Sequence, residues 1–219
     1  PNGKLLSKIY SFFLLVMITS QSYASNIIEG NLGSKLQGEV ISTFNYPWSF
    51  SFLDNDHLLV ATKPGKLWLV DSAGAKTEVK NTVSVEYGGQ GGMGDVVPHP
   101  NYSENHYVYL SYITSDDDGQ TRYAVVDQAI LHDLGSPVLE NIERIWEQFP
   151  AVKGKGHFSH RIAFGPKGSV HENKIFITSG DRQMQHPAQM WETNFGKIIR
   201  LNDDGSVPPD NPFTNQGEL

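Results

Sequence analysis

The sequence predicts an all-β chain of repeated four-stranded antiparallel sheets, the plan of a β-propeller. Three observations carry that expectation. Helical periodicity is almost absent after residue 25. Short runs rich in β-branched and aromatic residues recur instead, closed by Gly, Pro, Asn and Asp turns. Those runs also fall into sets. The alternating segments Leu58-Leu-Val-Ala-Thr62, Tyr107-Val-Tyr-Leu-Ser111 and Lys174-Ile-Phe-Ile-Thr178 hold the same place in each set and begin 49 and 67 residues apart. A four-stranded unit of about 40–50 residues is the period of a propeller blade. A β-sandwich with similar turn spacing is the competing reading; repetition of whole sets rather than single strands favours the propeller.

The first set reads as strands over 48–53, 57–62, 66–71 and 76–79, joined by the turns Asp54-Asn55-Asp56, Pro64-Gly65 and one at Gly74. The second reads as strands over 93–98, 106–113, 121–132 and 143–149, with turns at His99-Pro100-Asn101 and Asp116-Asp117-Asp118-Gly119. The third reads as strands over 161–164, 174–179 and 197–202, with turns at Gly165-Pro166-Lys167-Gly168 and Asp203-Asp204-Gly205. The connection 150–160 lengthens the second interval.

Composition narrows the function classes. The 219 residues hold 17 Lys and Arg against 24 Asp and Glu, a net charge of -7, with no Lys/Arg run of five. Such a chain repels phosphate, so nucleic-acid binding is disfavoured. The absence of cysteine excludes disulfides, thiolate catalysis, zinc fingers and iron–sulfur ligation.

Lys4 and Lys8 precede an apolar run over 9–18. That run is half the about 20 residues a bilayer span needs. With Ser22-Tyr23-Ala24 as a small-x-small cleavage site, residues 1–24 read as a secretory signal peptide, and 25–219 as the mature partial propeller. The expected location is periplasmic or secreted, with no membrane span in the mature chain. The chain opens with Pro1 and closes at Leu219, soon after Pro208-Pro209-Asp210-Asn211-Pro212, which suggests an incomplete reading frame.

Three segments between the strand sets carry chemistry. In Gly88-Gly89-Gln90-Gly91-Gly92-Met93-Gly94-Asp95 the spacing Gly89-x-Gly91-x-x-Gly94 matches a dinucleotide fingerprint. That fingerprint requires a helix to follow. Val96-Val97-Pro98-His99-Pro100 cannot open one. The glycines read as a tight inter-blade turn, and Gln90 as an amide able to donate to and accept from a ligand hydroxyl, or as a solvated loop residue. In Lys155-Gly156-His157-Phe158-Ser159-His160-Arg161, His157 is a candidate general base or a loop histidine bonded to backbone. His157 and His160 have a metal-pair spacing, but no third ligand lies at a useful distance in sequence. Arg161 reads as a candidate binding residue or, more simply, as a loop anchor on carbonyls. In Ser179-Gly180-Asp181-Arg182, Asp181 either caps backbone amides or faces a channel. The acidic turns at 116–118 and 203–204 lack the spacing of a calcium loop and read as solvated.

At these residues the chain resembles the soluble PQQ-dependent aldose sugar dehydrogenases, the glucose/sorbosone dehydrogenase family of quinoproteins. The resemblance lies in Tyr46-Pro-Trp-Ser-Phe-Ser-Phe-Leu53, in Gly89-Gln-Gly-Gly-Met-Gly-Asp-Val96 with His99-Pro-Asn-Tyr102, and in His157-Phe-Ser-His-Arg-Ile-Ala-Phe-Gly-Pro166. It is most specific in the long stretch from Phe195-Gly-Lys-Ile-Ile-Arg-Leu-Asn to Asn211-Pro-Phe213. It implies a six-bladed propeller, of which this chain holds about the first three to four blades. It further implies PQQ over the channel, Ca2+ beside the quinone, and oxidation of aldoses at the anomeric carbon to lactones. His157 falls on the family's base and Gln90 on its substrate-contacting glutamine, with Arg161 and Asp181 as further candidate substrate- or cofactor-binding residues. Electrons would leave to a quinone or cytochrome. The chain departs from the family at Gly156, where some relatives carry Asp, and at His160, where many have Gly. The family's Gly-His-Arg-Asn motif and the calcium ligands are expected beyond Leu219, so weak PQQ binding or none by these residues alone is the expectation. Two other readings remain: a non-catalytic propeller binding a protein or glycan partner, and a calcium-dependent propeller lactonase.

Overall fold

The computed structural model describes residues 26–132 and 134–213. The leader-like segment 1–24 and its cleavage site lie outside them. Among the described residues, 26–40 and those from 41 on belong to separate compact units. In the first, β1 (Asn26–Glu29) and β2 (Lys35–Gly38) make an antiparallel hairpin.

The described residues of the second unit are all-β apart from the single-turn helix α1 (Tyr102–Asn105) and a 3-10 turn at His186–Gln189. Its strands form three antiparallel meanders, the blades of a partial propeller. The first sheet runs β3 (Pro47–Phe52), β4 (His57–Thr62), β5 (Leu67–Asp71) and β6 (Lys76–Glu78). The second runs β7 (Met93–Pro98), β8 (Tyr107–Thr114), β9 (Tyr123–His132) and β10 (Val138–Glu147). The third has β11 (Ser159–Phe164), β12 (Lys174–Ser179) and β13 (Lys197–Asn202).

The sequence pattern anticipates these elements closely, with one sizeable difference. β10 begins at Val138, five residues before the expected start. Register shifts between Glu140 and Glu143 and between Arg144 and Trp146 break its alternation, so the period-2 signal fades just where the strand starts. The glycine-rich segment leads into β7, a strand and not a helix.

β8 explains how the sheets stack. Val108 and Leu110 enter one buried cluster with Leu59, Leu67, Leu69 and Val96 of the flanking strands. Tyr109 and Ile113, at odd positions, enter another with Phe158, Ile162, Ile175 and Ile177. Both faces of the second sheet are therefore covered, and each fully buried aliphatic side chain contributes about 1.5–3 kcal/mol. Polar clamps fix the stacking. Ser49 Oγ and Ser51 Oγ on β3 donate to the Gly94 and Val96 carbonyls on β7, each at 2.7 Å. On the other side, the Ile162 amide of β11 donates to Asp95 Oδ2 at 2.9 Å.

The outer faces of the first and third sheets carry Phe50 and Phe52 on β3 and Ile198 on β13, all exposed. The turn after β13, expected to be solvated, is instead an inter-sheet contact. Asp203 Oδ2 accepts from Nε2 of the buried His99 at 3.2 Å, because His99 Nδ1 already accepts from the Asn101 amide.

Candidate active site

A cavity of about 480 Å³ lies where the inner strands of the three sheets converge. Trp48 comes from β3, Gln90 from the glycine loop before β7, residues 157–160 from the start of β11, and Gly180 and Asp181 from the end of β12.

The β11–β12 pairing assembles the centre. Ser159 pairs with Ser179, so the residue two before β11 and the residue two after β12 meet at one end of the hairpin. His157 Nδ1 lies 2.9 Å from Asp181 Oδ1. A carboxylate only accepts, so Nδ1 carries the proton and Nε2 of the neutral ring keeps its lone pair. The hydrogen bond from His157, then that from the Gln183 amide, holds the Asp181 carboxyl below its usual range. Gly180 permits the approach: an added Cβ would sit 2.0 Å from the His157 carbonyl oxygen.

Gln90 reaches the same centre across the sheet boundary. Its Oε1 accepts from the His157 amide at 2.6 Å, and its own amide is held by the Lys155 carbonyl at 2.8 Å. The side-chain NH2 of Gln90 makes no hydrogen bond among the described residues. Lys63 Nζ donates to the Gly89 carbonyl at 2.8 Å and stands 4.7 Å from the Trp48 ring centroid, tying the aromatic wall to the glycine loop.

Gln90, His157 and Asp181 thus converge. Arg161 does not line the cavity. Its guanidinium is exposed and pairs with the buried Asp95 carboxylate at 2.9 Å. Burial raises the Asp95 pKa, while the Ile162 amide and the Arg161 charge oppose that rise. The alternation of β11 carries the signal for this placement: with Ile162 facing inward, Arg161 faces out and His160 faces in.

The loop anchor on carbonyls is Arg182, which the sequence reading did not single out. Its Nε donates to Gly156 O and its Nη2 to Gly154 O, both at 3.0 Å; Nη1 reaches Arg122 O. The guanidinium also lies 3.9 Å from the Phe158 ring centroid. Burial lowers the Arg182 pKa to about 10, and nearby Arg122 adds to this. No sequence pattern separates Arg182 from Arg161 as anchor; only the loops folded over it do.

Among the described residues no group of three or more His, Asp or Glu is placed to hold a metal ion.

The family model described as Glucose / Sorbosone dehydrogenase matches residues 44–219. Aldose sugar dehydrogenase YliI of Escherichia coli (strain K12) is 30% identical over 175 residues, covering 78% of this chain and 45% of that protein. Quinoprotein glucose dehydrogenase B of Acinetobacter calcoaceticus is 27% identical over 250 residues, covering 98% of this chain and 50% of that protein. The PQQ-bound form of Aldose Sugar Dehydrogenase from Streptomyces coelicolor superposes with a TM-score of 0.69 at 25% identity, covering 89% of this chain and 54% of that one. The chain spans about half the length of the curated relatives it matches.

Proposed function

The chain belongs to the glucose/sorbosone dehydrogenase family, and from that premise we propose that it forms the substrate-base half of a PQQ-dependent aldose sugar dehydrogenase. The observation that carries this reading is the His157–Asp181 contact beside Gln90 in one cavity.

In the proposed reaction the Gln90 amide orients a sugar hydroxyl, and His157 Nε2 takes the proton of the anomeric hydroxyl. Asp181 keeps Nδ1 protonated and so holds Nε2 in its accepting form; it also stabilises the imidazolium that results. Bound PQQ would supply the two-electron oxidant that takes the C1 hydride, leaving a lactone. Trp48 and Phe158 form apolar walls suited to the face of a sugar or quinone ring.

The fit to PQQ is partial. Its carboxylates call for paired cations when buried. Among the described residues, the cavity lining contains no Lys or Arg, and it contains one carboxylate, Asp181. Cationic partners, and ligands for Ca2+, are therefore assigned to segments other than those lining this cavity. Arg161 is assigned a supporting role through Asp95 and not a cofactor contact. The acceptor of the electrons is proposed to be a quinone or cytochrome, and the location periplasmic or secreted. No helix among the described residues is long and apolar enough to cross a membrane.

The test is sugar oxidation with a dye acceptor, with and without added PQQ and Ca2+, by the chain together with the segments that supply the cationic partners, and by the same protein carrying His157→Ala. PQQ-dependent oxidation lost in the variant supports the assignment. Sugar binding that survives the substitution, with no oxidation by either form, would instead indicate a non-catalytic glycan binder.

A further inference from the structure

We propose that His160 is a specificity-determining residue of this cavity, presenting ring nitrogen Nε2 to one hydroxyl of the sugar; the proposal rests on the sugar-oxidising reading above.

His160 is 5% exposed and lines the cavity beside His157. Its ring is fixed from the neighbouring sheet. Nδ1 lies 2.9 Å from Ser111 Oγ, and that hydroxyl also accepts the Asp95 amide at 2.7 Å. The ring lies directly against the Gly94 backbone, where an added Cβ would fall 2.0 Å from Cε1. The imidazole cannot retreat outward, and no side chain at 94 competes for its place.

The backbone holds the ring at some cost. His160 has φ +61°, Ser159 has φ +61° and His157 has φ +50°. Non-glycine residues rarely adopt this region, and strain of this kind clusters at ligand sites. A glycine at 160 would relieve it.

The second nitrogen is the functional clue. Nε2 makes no hydrogen bond among the described residues. The one side-chain nitrogen or oxygen among them that is sealed from solvent and unpartnered is Arg200 Nε. Nε2 therefore meets open space, and the space beside His160 is the cavity. Burial, aided by the Arg161 charge, lowers the His160 pKa to about 4, so the ring is neutral at working pH. A neutral imidazole offers one donor or one acceptor at Nε2, depending on the tautomer Ser111 selects, and a sugar hydroxyl answers either. A sugar lacking that hydroxyl leaves Nε2 unpaired, a discrimination of about 3–10-fold for one neutral hydrogen bond.

The experiment titrates glucose into the 15N-labelled full chain supplied with PQQ, and follows the imidazole nitrogens of His157 and His160. The expected result is a shift of His160 Nε2, absent when one particular monodeoxyglucose replaces glucose. In the oxidation assay, kcat/KM for glucose over that deoxyglucose is expected to fall by about 3–10-fold in His160→Ala, with partial recovery in His160→Gln. A shift at His157 with none at His160 overturns the proposal and leaves the sugar-oxidising reading standing. Neither ring moving, with no oxidation by the unsubstituted chain, overturns both. The labelled-protein measurement needs no substitution, so a variant that fails to fold does not protect the proposal.

Discussion

His157 precedes β11 and Asp181 follows β12, yet Nδ1 of the first lies 2.9 Å from Oδ1 of the second. The antiparallel register of two strands, and not proximity in sequence, makes the pair. Its chemical consequence is a fixed tautomer, and the first prediction follows from it.

Asp181→Asn keeps the shape but offers an N–H to Nδ1, favouring the tautomer with Nε2 protonated. Under the proposed function, the sugar-oxidation kcat should fall by about 10²–10⁴, close to the loss in His157→Ala, with little change in KM. A stopped-flow comparison of the two variants with PQQ supplied checks this; an unchanged kcat in Asp181→Asn would sink the tautomer assignment.

Gly180→Ala places a methyl 2.0 Å from the His157 carbonyl oxygen. The clasp between the Gly180 amide and Phe158 O, 3.0 Å long, must then open. Overpacking of this kind costs about 1–3 kcal/mol. Urea denaturation should show a lower midpoint with an unchanged slope.

Arg182→Met removes the guanidinium donor from the carbonyls of residues 122, 154 and 156, of which Arg122 O keeps the Val152 amide at 3.3 Å. Gly156 is buried, and an unsatisfied buried acceptor costs about 1–3 kcal/mol; the exposed Gly154 carbonyl can turn to water. Arg182→Lys should recover little, since one ammonium cannot reproduce a planar fork. Urea unfolding measures the cost, and faster proteolysis at Lys153 and Lys155 should accompany it.

Acid should destabilise the fold in two windows. The His160 pKa is lowered to about 4 from an ordinary value near 6.5 by burial. Between those values the unfolded chain binds the proton and the folded chain does not, so stability falls as pH drops from about 6.5 to 4, by up to about 3 kcal/mol. Asp181, Asp204 and Asp210 have depressed pKa values from hydrogen bonds to His157, Ser206 and Arg200 respectively. Their contribution is present above the ordinary carboxylate range and lost below it. Thermal melts across pH should show both declines, and His160→Gln should remove only the upper one.

Phe50 and Phe52 are 64% and 70% exposed on the outer face of β3. Replacing both with Ser should reduce binding of an apolar dye and raise solubility. Stability should stay nearly unchanged, because the opposite face, where Ser49 and Ser51 bond to β7 carbonyls, carries the packing.

Local pattern is enough to specify most of the strands. Alternation in Leu58-Leu-Val-Ala-Thr62 and Lys174-Ile-Phe-Ile-Thr178, with turn residues between runs, places β4 and β12 at the expected positions, because period-2 burial and turn chemistry act over a few residues. It fails at the start of β10, where bulges interrupt the period. The sequence also marks Gln90, His157 and Asp181 as chemically capable. Their convergence is another matter. Gln90 and His157 are 67 residues apart and meet only because β7 and β11 stack on inner edges of neighbouring sheets. The same stacking sends Arg161 outward to Asp95, buries Arg182 under three loop carbonyls, and presses His160 against Gly94. Which side chain faces the cavity depends on strand parity together with the packing of one sheet on the next. Only the first of these is encoded within a strand; the second is a contact energy between segments that the linear chain keeps far apart.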